Sequence, residues 1–239
     1  MMNYDLSLKA EDLTVTFAQS LDGKLAGALG SQVALSCRES RLMTHWLRSR
    51  HQGILVGVNT AINDNPQLNT RLIQGDPENP QPIVLDTHLR FPIDAKLLQN
   101  YATGHGKQPW IITQTSEDQL WLDRKQSLEG LGARIVDLPS TRDIPAVVDR
   151  LHQMGIHSLM VEGGAQIIRS FIRSPIVDNL IITVSPSLIG EHGVGYGLDV
   201  EGMGTNLVYE RSFQLGRDTI IVFKRASSEL LSNTSVCNT

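Results

Sequence analysis

The segment Met160-Val161-Glu162-Gly163-Gly164-Ala165 carries the strongest chemical signal in the chain. An apolar strand pattern ends on a carboxylate, two glycines follow, and a helical pattern begins. Paired glycines let backbone approach a ligand closely, and the first amides of a helix are unpaired donors at the positive end of its dipole. A phosphate or pyrophosphate suits that combination. Glu162 would stand at the carboxyl end of a strand, where open α/β sheets collect ligands. The same letters also fit a plain strand-to-helix turn with a solvated glutamate.

Other clusters are weaker. Ser20-Leu21-Asp22-Gly23-Lys24 sets a carboxylate and an amine beside a glycine, although Asp-Gly is also ordinary turn chemistry. Thr60 and Asp64 share a face if they lie on a helical turn, which Asn65-Pro66 would end; capping and turn formation explain them as well. Arg48 and Arg71 have the planar fork that grips phosphate, though a lone arginine is usually a solvated charge. Gly193–Gly197 (GVGYG) reads as a segment that moves over a site or as a flexible loop.

Several chemistries lack their signatures. No G-x-G-x-x-G joins a strand to a helix, so the standard dinucleotide fingerprint is missing; the P-loop, H-E-x-x-H, G-x-S-x-G and Cys-x-x-Cys patterns are missing too. The 7 histidines are scattered without metal spacing, and no metal site is expected.

The elements that must position these residues alternate. Strand patterns fall at Leu13–Ala18, Ile54–Val58, Ile83–Asp86, Trp110–Thr113, Arg134–Leu138, Ser158–Val161 and Asn179–Val184. Several are apolar at consecutive positions, as strands covered on both faces are. Ser36 and Glu39 have capping-box spacing ahead of a helix bearing Leu42, Met43, Trp46 and Leu47, with Arg48, Arg50 and His51 at its dipole-favoured end. Further helices are expected after Gly164, with Ile167, Ile168, Phe171 and Ile172 apolar, and over Asp143–Met154. Leu207–Gly216 and Asp218–Lys224 read as an antiparallel pair. The fold class is α/β, a mostly parallel sheet with an antiparallel edge. Asp76–Pro82 reads as a surface loop.

With 239 residues, the chain is long enough for one sizeable core, or at most two small ones. A net charge of −4 gives no basic footprint for nucleic acid, and no apolar run is long enough for a membrane span. Two cysteines, Cys37 and Cys237, rule out a disulfide framework, and no signal peptide is evident at the N-terminus. A cytoplasmic protein is expected.

Taken in order, SLDGK, MTHWLRSRHQGILVG, NTAINDNPQLNTR, IVLD and VEGGAQII resemble the riboflavin-biosynthesis reductase family, above all its stand-alone fungal and archaeal branch. The likeness runs from about Val15 to Lys224. It implies a dihydrofolate-reductase-like α/β fold: a central, mostly parallel sheet flanked by helices, with an antiparallel C-terminal hairpin. It implies a homodimer that uses NADPH on a small-molecule nucleotide substrate, with no nucleic acid or membrane partner. The family reduces a ribosylamino-pyrimidine phosphate to its ribityl counterpart, with hydride delivered to C1′ of a ring-opened imine.

By the same resemblance, Ala18, Thr60, Asp64 and Thr87 are cofactor positions, as are Gly163, Gly164, Ala165, Gln166 and Ile167. Arg48 and Arg71 match substrate positions, at its phosphate, and Lys24 and Glu162 lie near the substrate ribose as candidate proton donors. Gln32 and Ala34 depart from the bacterial pattern, which has a serine and a tryptophan there. The zinc-deaminase pattern of the bacterial bifunctional relatives is absent from this sequence. An extension over 1–12 and a reductase domain over 13–225 are expected, with a disordered tail over 226–239 on its Ser/Asn/Thr-rich composition. The resemblance leaves open the deaminated uracil substrate and, on the same fold, a pterin.

Overall fold

The computed structural model describes residues 4, 6, 8–75, 77–197 and 206–226. β1 (Leu13–Ser20) shows how the sheet is written: Leu13, Val15 and Phe17 enter one core, while Thr14 on the opposite face bonds His51 Nε2 at 2.9 Å. β3 (Gly53–Gly57), β4 (Gln81–Leu85) and β7 (Leu159–Glu162) are buried almost throughout, as strands between two helical layers must be. β5 (Trp110–Gln114), β6 (Arg134–Leu138) and β8 (Asn179–Ser185) complete the parallel run β8-β1-β7-β3-β4-β5-β6. The hairpin of β10 (Leu207–Leu215) and β11 (Asp218–Arg225) adds antiparallel to β8, making a 9-stranded sheet.

α5 (Ile144–Gln153) and α6 (Ala165–Ile172) cover one face of this sheet. On the other, α1 (Arg38–Ser49) packs Met43 and Leu47 over Met160, Ile181, Ile220 and Val222. α2 (Val58–Asp64), α3 (Lys96–Ala102) and α4 (Gln119–Gly130) lie over β3, β4 and β5. α3 and α4 lack a sequence signal for a physical reason: α4 buries Leu128 but leaves Leu120 and Leu122 exposed, so its apolar period is blurred.

Two local expectations for α1 fail. The capping box does not form; Cys37 takes the N-cap position, and its side chain accepts from no helix amide, bonding instead to the Ser40 hydroxyl and the Leu215 carbonyl. Asp218, wholly buried at the start of β11, instead accepts from the Cys37 amide and the Ser40 hydroxyl, both at 2.7 Å. A carboxylate remote in sequence thus replaces the local cap and ties α1 to the hairpin. At the other end, His51 is no exposed dipole cation. It is buried, bonded to the Leu47 carbonyl at 2.8 Å and to Thr14, and burial lowers its pKa despite that carbonyl.

Part of the expected Gly193–Gly197 loop is strand: β9 (Val194–Gly195) pairs with β2 (Lys24–Ala26). Within the expected extension, Leu6 is buried against the α1 cluster, and Tyr4 meets the Trp46 ring edge-on at 5.4 Å between centroids. The expected tail lies outside the described residues apart from Ala226, as do Cys237 and Asp76 of the expected 76–82 loop. No helix among the described residues is long and apolar enough to cross a membrane.

Candidate active site

β1, β7, β3 and β4 run parallel, so their carboxyl ends open on the same side. A cavity of about 1670 Å³ lies there, well above the ~300–1,000 Å³ of a pocket for one small ligand. It has room for two. Its walls include Ala18 of β1, Thr60 and Asp64 of α2, Thr87 after β4, Arg48 of α1, Arg71, and Glu162 through Ile167. Every expected site residue but one therefore meets in a single space. The exception is Lys24. It does not line the cavity; its stem runs past Gly193, where a Cβ would fall 2.9 Å from Lys24 Cγ. The structure gives no contact between Lys24 and the residues expected to act with it.

The glycine pair has a geometric reason. Gly163 and Gly164 have φ of +66° and +74°, a left-handed conformation that side chains rarely adopt. A Cβ on Gly164 would lie 3.0 Å from Thr60 Oγ1, so Thr60 and this turn are pressed together. Gly57, at the end of β3, allows a second close approach: a Cβ there would lie 2.5 Å from Ile167 Cγ1. These contacts seat the N-terminus of α6 against α2 and leave a backbone cradle on the cavity wall.

Directly before the cradle glycines in the chain, Glu162 forms a bidentate pair with Arg48, Nε to Oε1 at 2.8 Å and Nη2 to Oε2 at 2.7 Å. Arg48 Nη1 also donates to the Asn69 carbonyl at 3.0 Å. Burial works against the charged guanidinium, and the carboxylate outweighs it, so the Arg48 pKa is raised. The helix-end cation of the sequence pattern is thus turned inward. Arg71 is exposed and donates to Asn69 Oδ1 at 2.9 Å.

His45 lies one turn before Arg48, buried in the same wall. Burial first, then the charges of Arg48 and Arg71, push its pKa down to about 4, with Glu162 and the Asn69 backbone pulling the other way. At the far end, Thr87 and Thr141 share a hydroxyl bond of 2.7 Å, and Arg90 donates to Asn59 Oδ1 at 2.8 Å. Arg142 is exposed on the same rim. The cavity therefore joins an anion cradle, a basic rim and an arginine-histidine-glutamate wall that adjoins the cradle at Glu162.

Residues 11–221 match the RibD C-terminal domain. The chain belongs to the RibD C-terminal domain family. Among relatives of this RibD domain, the 2,5-diamino-6-ribosylamino-4(3H)-pyrimidinone 5′-phosphate reductase of Debaryomyces hansenii is 38% identical over 76% of this chain and 77% of its own length. The reductase of the same name from Methanothermobacter thermautotrophicus is 31% identical over 86% of this chain and 94% of its own. The structure of the Saccharomyces cerevisiae riboflavin biosynthesis reductase Rib7 superposes with a TM-score of 0.69 at 26% identity, covering 92% of both chains. The fold is accordingly the dihydrofolate-reductase-like one.

Sequence reasoning passed over several residues of this RibD domain. His45 had an available signal, because Arg41, Thr44, His45 and Arg48 recur at helical spacing opposite the apolar stripe. Arg90, Thr141 and Arg142 had none, since they come from separate loops. Asp22 proves to be a staple. Its carboxylate accepts from the Ser20 hydroxyl at 2.6 Å and from the Ile189 and Gly190 amides at 3.1 and 2.7 Å. These bonds, that of Ser20 foremost, hold its pKa down to about 2 despite the opposing effect of burial. The Ser20–Lys24 turn thus secures the β2–β9 ribbon, from which Leu25, Ala26 and Val194 border the cavity.

Proposed function

We propose that this protein reduces 2,5-diamino-6-ribosylamino-4(3H)-pyrimidinone 5′-phosphate to its ribitylamino product, in riboflavin biosynthesis, with NADPH as reductant. The reading comes from relatives that carry this reductase's name at up to 38% identity. One observation in this chain carries it: the phosphate-type cradle at Gly163-Gly164 and the Arg48–Glu162 pair share one cavity large enough for two ligands.

The residues present fit a dinucleotide. The positive-φ glycines clear the approach, and the first amides of α6 point their dipole at a diphosphate. Thr60 and Asp64 stand beside that turn, and Ala18 closes the cavity at β1. Arg90 and Arg142, with Thr87 and Thr141, supply charge and hydroxyls at the rim, as a 2′-phosphate requires. When bound, NADPH supplies the hydride that C1′ of the ring-opened ribosylamine receives.

The protein's own part is binding and orientation. Glu162 is committed as a carboxylate to two Arg48 donors and keeps lone pairs for sugar hydroxyls. It therefore orients the sugar chain and is not the proton donor. Arg71, exposed beside Asn69, meets the 5′-phosphate, which a pterin lacks. Lys24 belongs to the β2–β9 ribbon whose Leu25, Ala26 and Val194 border the cavity, and the proton for the imine nitrogen is relayed from this side through water. On the resemblance alone the protein is a homodimer, and its sparse cysteines are the ground for placing it in the cytoplasm.

The test is oxidation of NADPH, followed by its near-ultraviolet absorbance, with the ribosylamino-pyrimidine phosphate as sole acceptor. Turnover of that substrate, and none of dihydrofolate, is expected. Stoichiometric NADPH binding without turnover would remove the reading.

A further inference from the structure

The face of α1 that lines the cavity carries Arg41, Thr44, His45 and Arg48. Arg48 is already engaged by Glu162 and the Asn69 carbonyl, while Arg41 and Arg71 are exposed. His45 differs from all of them. It is 5% exposed, and its Nδ1 has neither solvent nor a hydrogen-bond partner. The ring lines the cavity wall within reach of the charges of Arg48 and Arg71, so an anion that enters between these arginines comes to rest against it.

The charges around the ring indicate which ligand. Arg48 from its own helix and Arg71 from the loop before β4 both oppose a charged imidazole, and Glu162 of β7 favours one. With the cavity open, burial and the two arginines keep the ring neutral. A phosphate dianion entering this wall offsets both arginines and welcomes another N–H donor. A protonated histidine then adds an N–H donor to the arginines that hold the anion.

We infer that His45 is a substrate-binding residue at the phosphate end of the cavity, taking up a proton as a sugar phosphate seats beside Arg71 and donating a hydrogen bond to it. This deepens the proposed function and rests on its reading of the arginine wall as the sugar-phosphate end.

Ribose 5-phosphate is the probe, so that no turnover is needed. The imidazole nitrogen resonances of the native protein are followed against pH, with and without the probe, and assigned by their loss in His45→Asn. The His45 titration should move up by about three units on binding, from about 4 to about 7, which is the shift that a tenfold contribution to affinity near pH 6 requires. His45→Asn should weaken ribose 5-phosphate binding about tenfold near pH 6, with the loss shrinking toward pH 8, while NADPH affinity stays unchanged. Because the phosphate titrates alike in both experiments, the difference belongs to His45. An unshifted His45 titration with the probe bound overturns the inference. So does a folded His45→Asn protein that binds the probe like the native one, or a native protein that does not bind it. Should the variant not fold, the native resonances alone decide. Native turnover of the full substrate is scored separately: turnover with a silent His45 removes only this inference, and a shifted His45 without turnover removes only the proposed reaction.

Discussion

The Arg48–Glu162 pair gives the sharpest test of how this site is built. Its side chains are 12% and 15% exposed, so each charge depends on the other more than a surface pair would. Removing the arginine in Arg48→Met leaves a mostly buried carboxylate without either donor; such breakage costs about 3–5 kcal/mol, and the residual exposure places this case near about 3 kcal/mol. Glu162→Gln removes the charge but keeps one acceptor, so its cost should be smaller, about 1–2 kcal/mol. In the double variant no charge is stranded, and the total should fall short of the sum of the singles by about 2 kcal/mol. Urea unfolding of all four proteins without ligands, followed by far-ultraviolet circular dichroism, gives this coupling from the midpoints and a shared slope. Glu162→Gln should also lower kcat/KM for the phosphate substrate while leaving NADPH affinity near native. A coupling below about 0.5 kcal/mol would refute the claim that the two charges support each other, since independent sites add to within that margin.

Three further expectations follow from the same geometry. Gly164→Ala should weaken NADPH binding at least tenfold in a fluorescence titration, because its Cβ meets Thr60 at 3.0 Å in a backbone held at φ +74°; unchanged affinity would show that this turn does not cradle the cofactor. The folded His45 pKa, about 4, lies below its ordinary 6.5, so the unfolded chain binds the extra proton between those values. Stability from this group is therefore complete above about pH 6.5 and falls by about 3 kcal/mol as the pH drops to about 4. His45→Gln should flatten that part of the urea-midpoint profile, and buried His51, shifted the same way, accounts for slope that remains. Asp22→Asn should speed hydrogen exchange at the Ile189 and Gly190 amides, which the carboxylate accepts, without changing exchange in β3 or β4.

Much of the framework was legible from local pattern. The buried strands announce themselves because a strand between two helical layers must be apolar on both sides. α5 carries the Asp143 cap, and α2 ends at a left-handed Asn65 before Pro66, as their sequences indicate. α4 was not legible, because its exposed leucines break the period on which such a reading depends. The short β2–β9 ribbon was hidden for a related reason: its pairing is set by Asp22 holding a backbone far along the chain, not by alternation within either strand.

The sequence by itself determined the order of elements, the glycine turn after Glu162 and the set of residues from which a site would be drawn. Such features depend on neighbours in the chain, where spacing and side-chain type suffice. Tertiary structure alone decided which polar groups meet. It replaced the Ser36 cap with Asp218, turned Arg48 from a helix end onto Glu162, buried His45 between two arginines and left Lys24 outside the cavity. The physical reason is that a charged side chain settles by what compensates it once water is gone. The compensating group here is supplied by sheet order, which places β7 beside β1 and β3, a fact no local pattern contains.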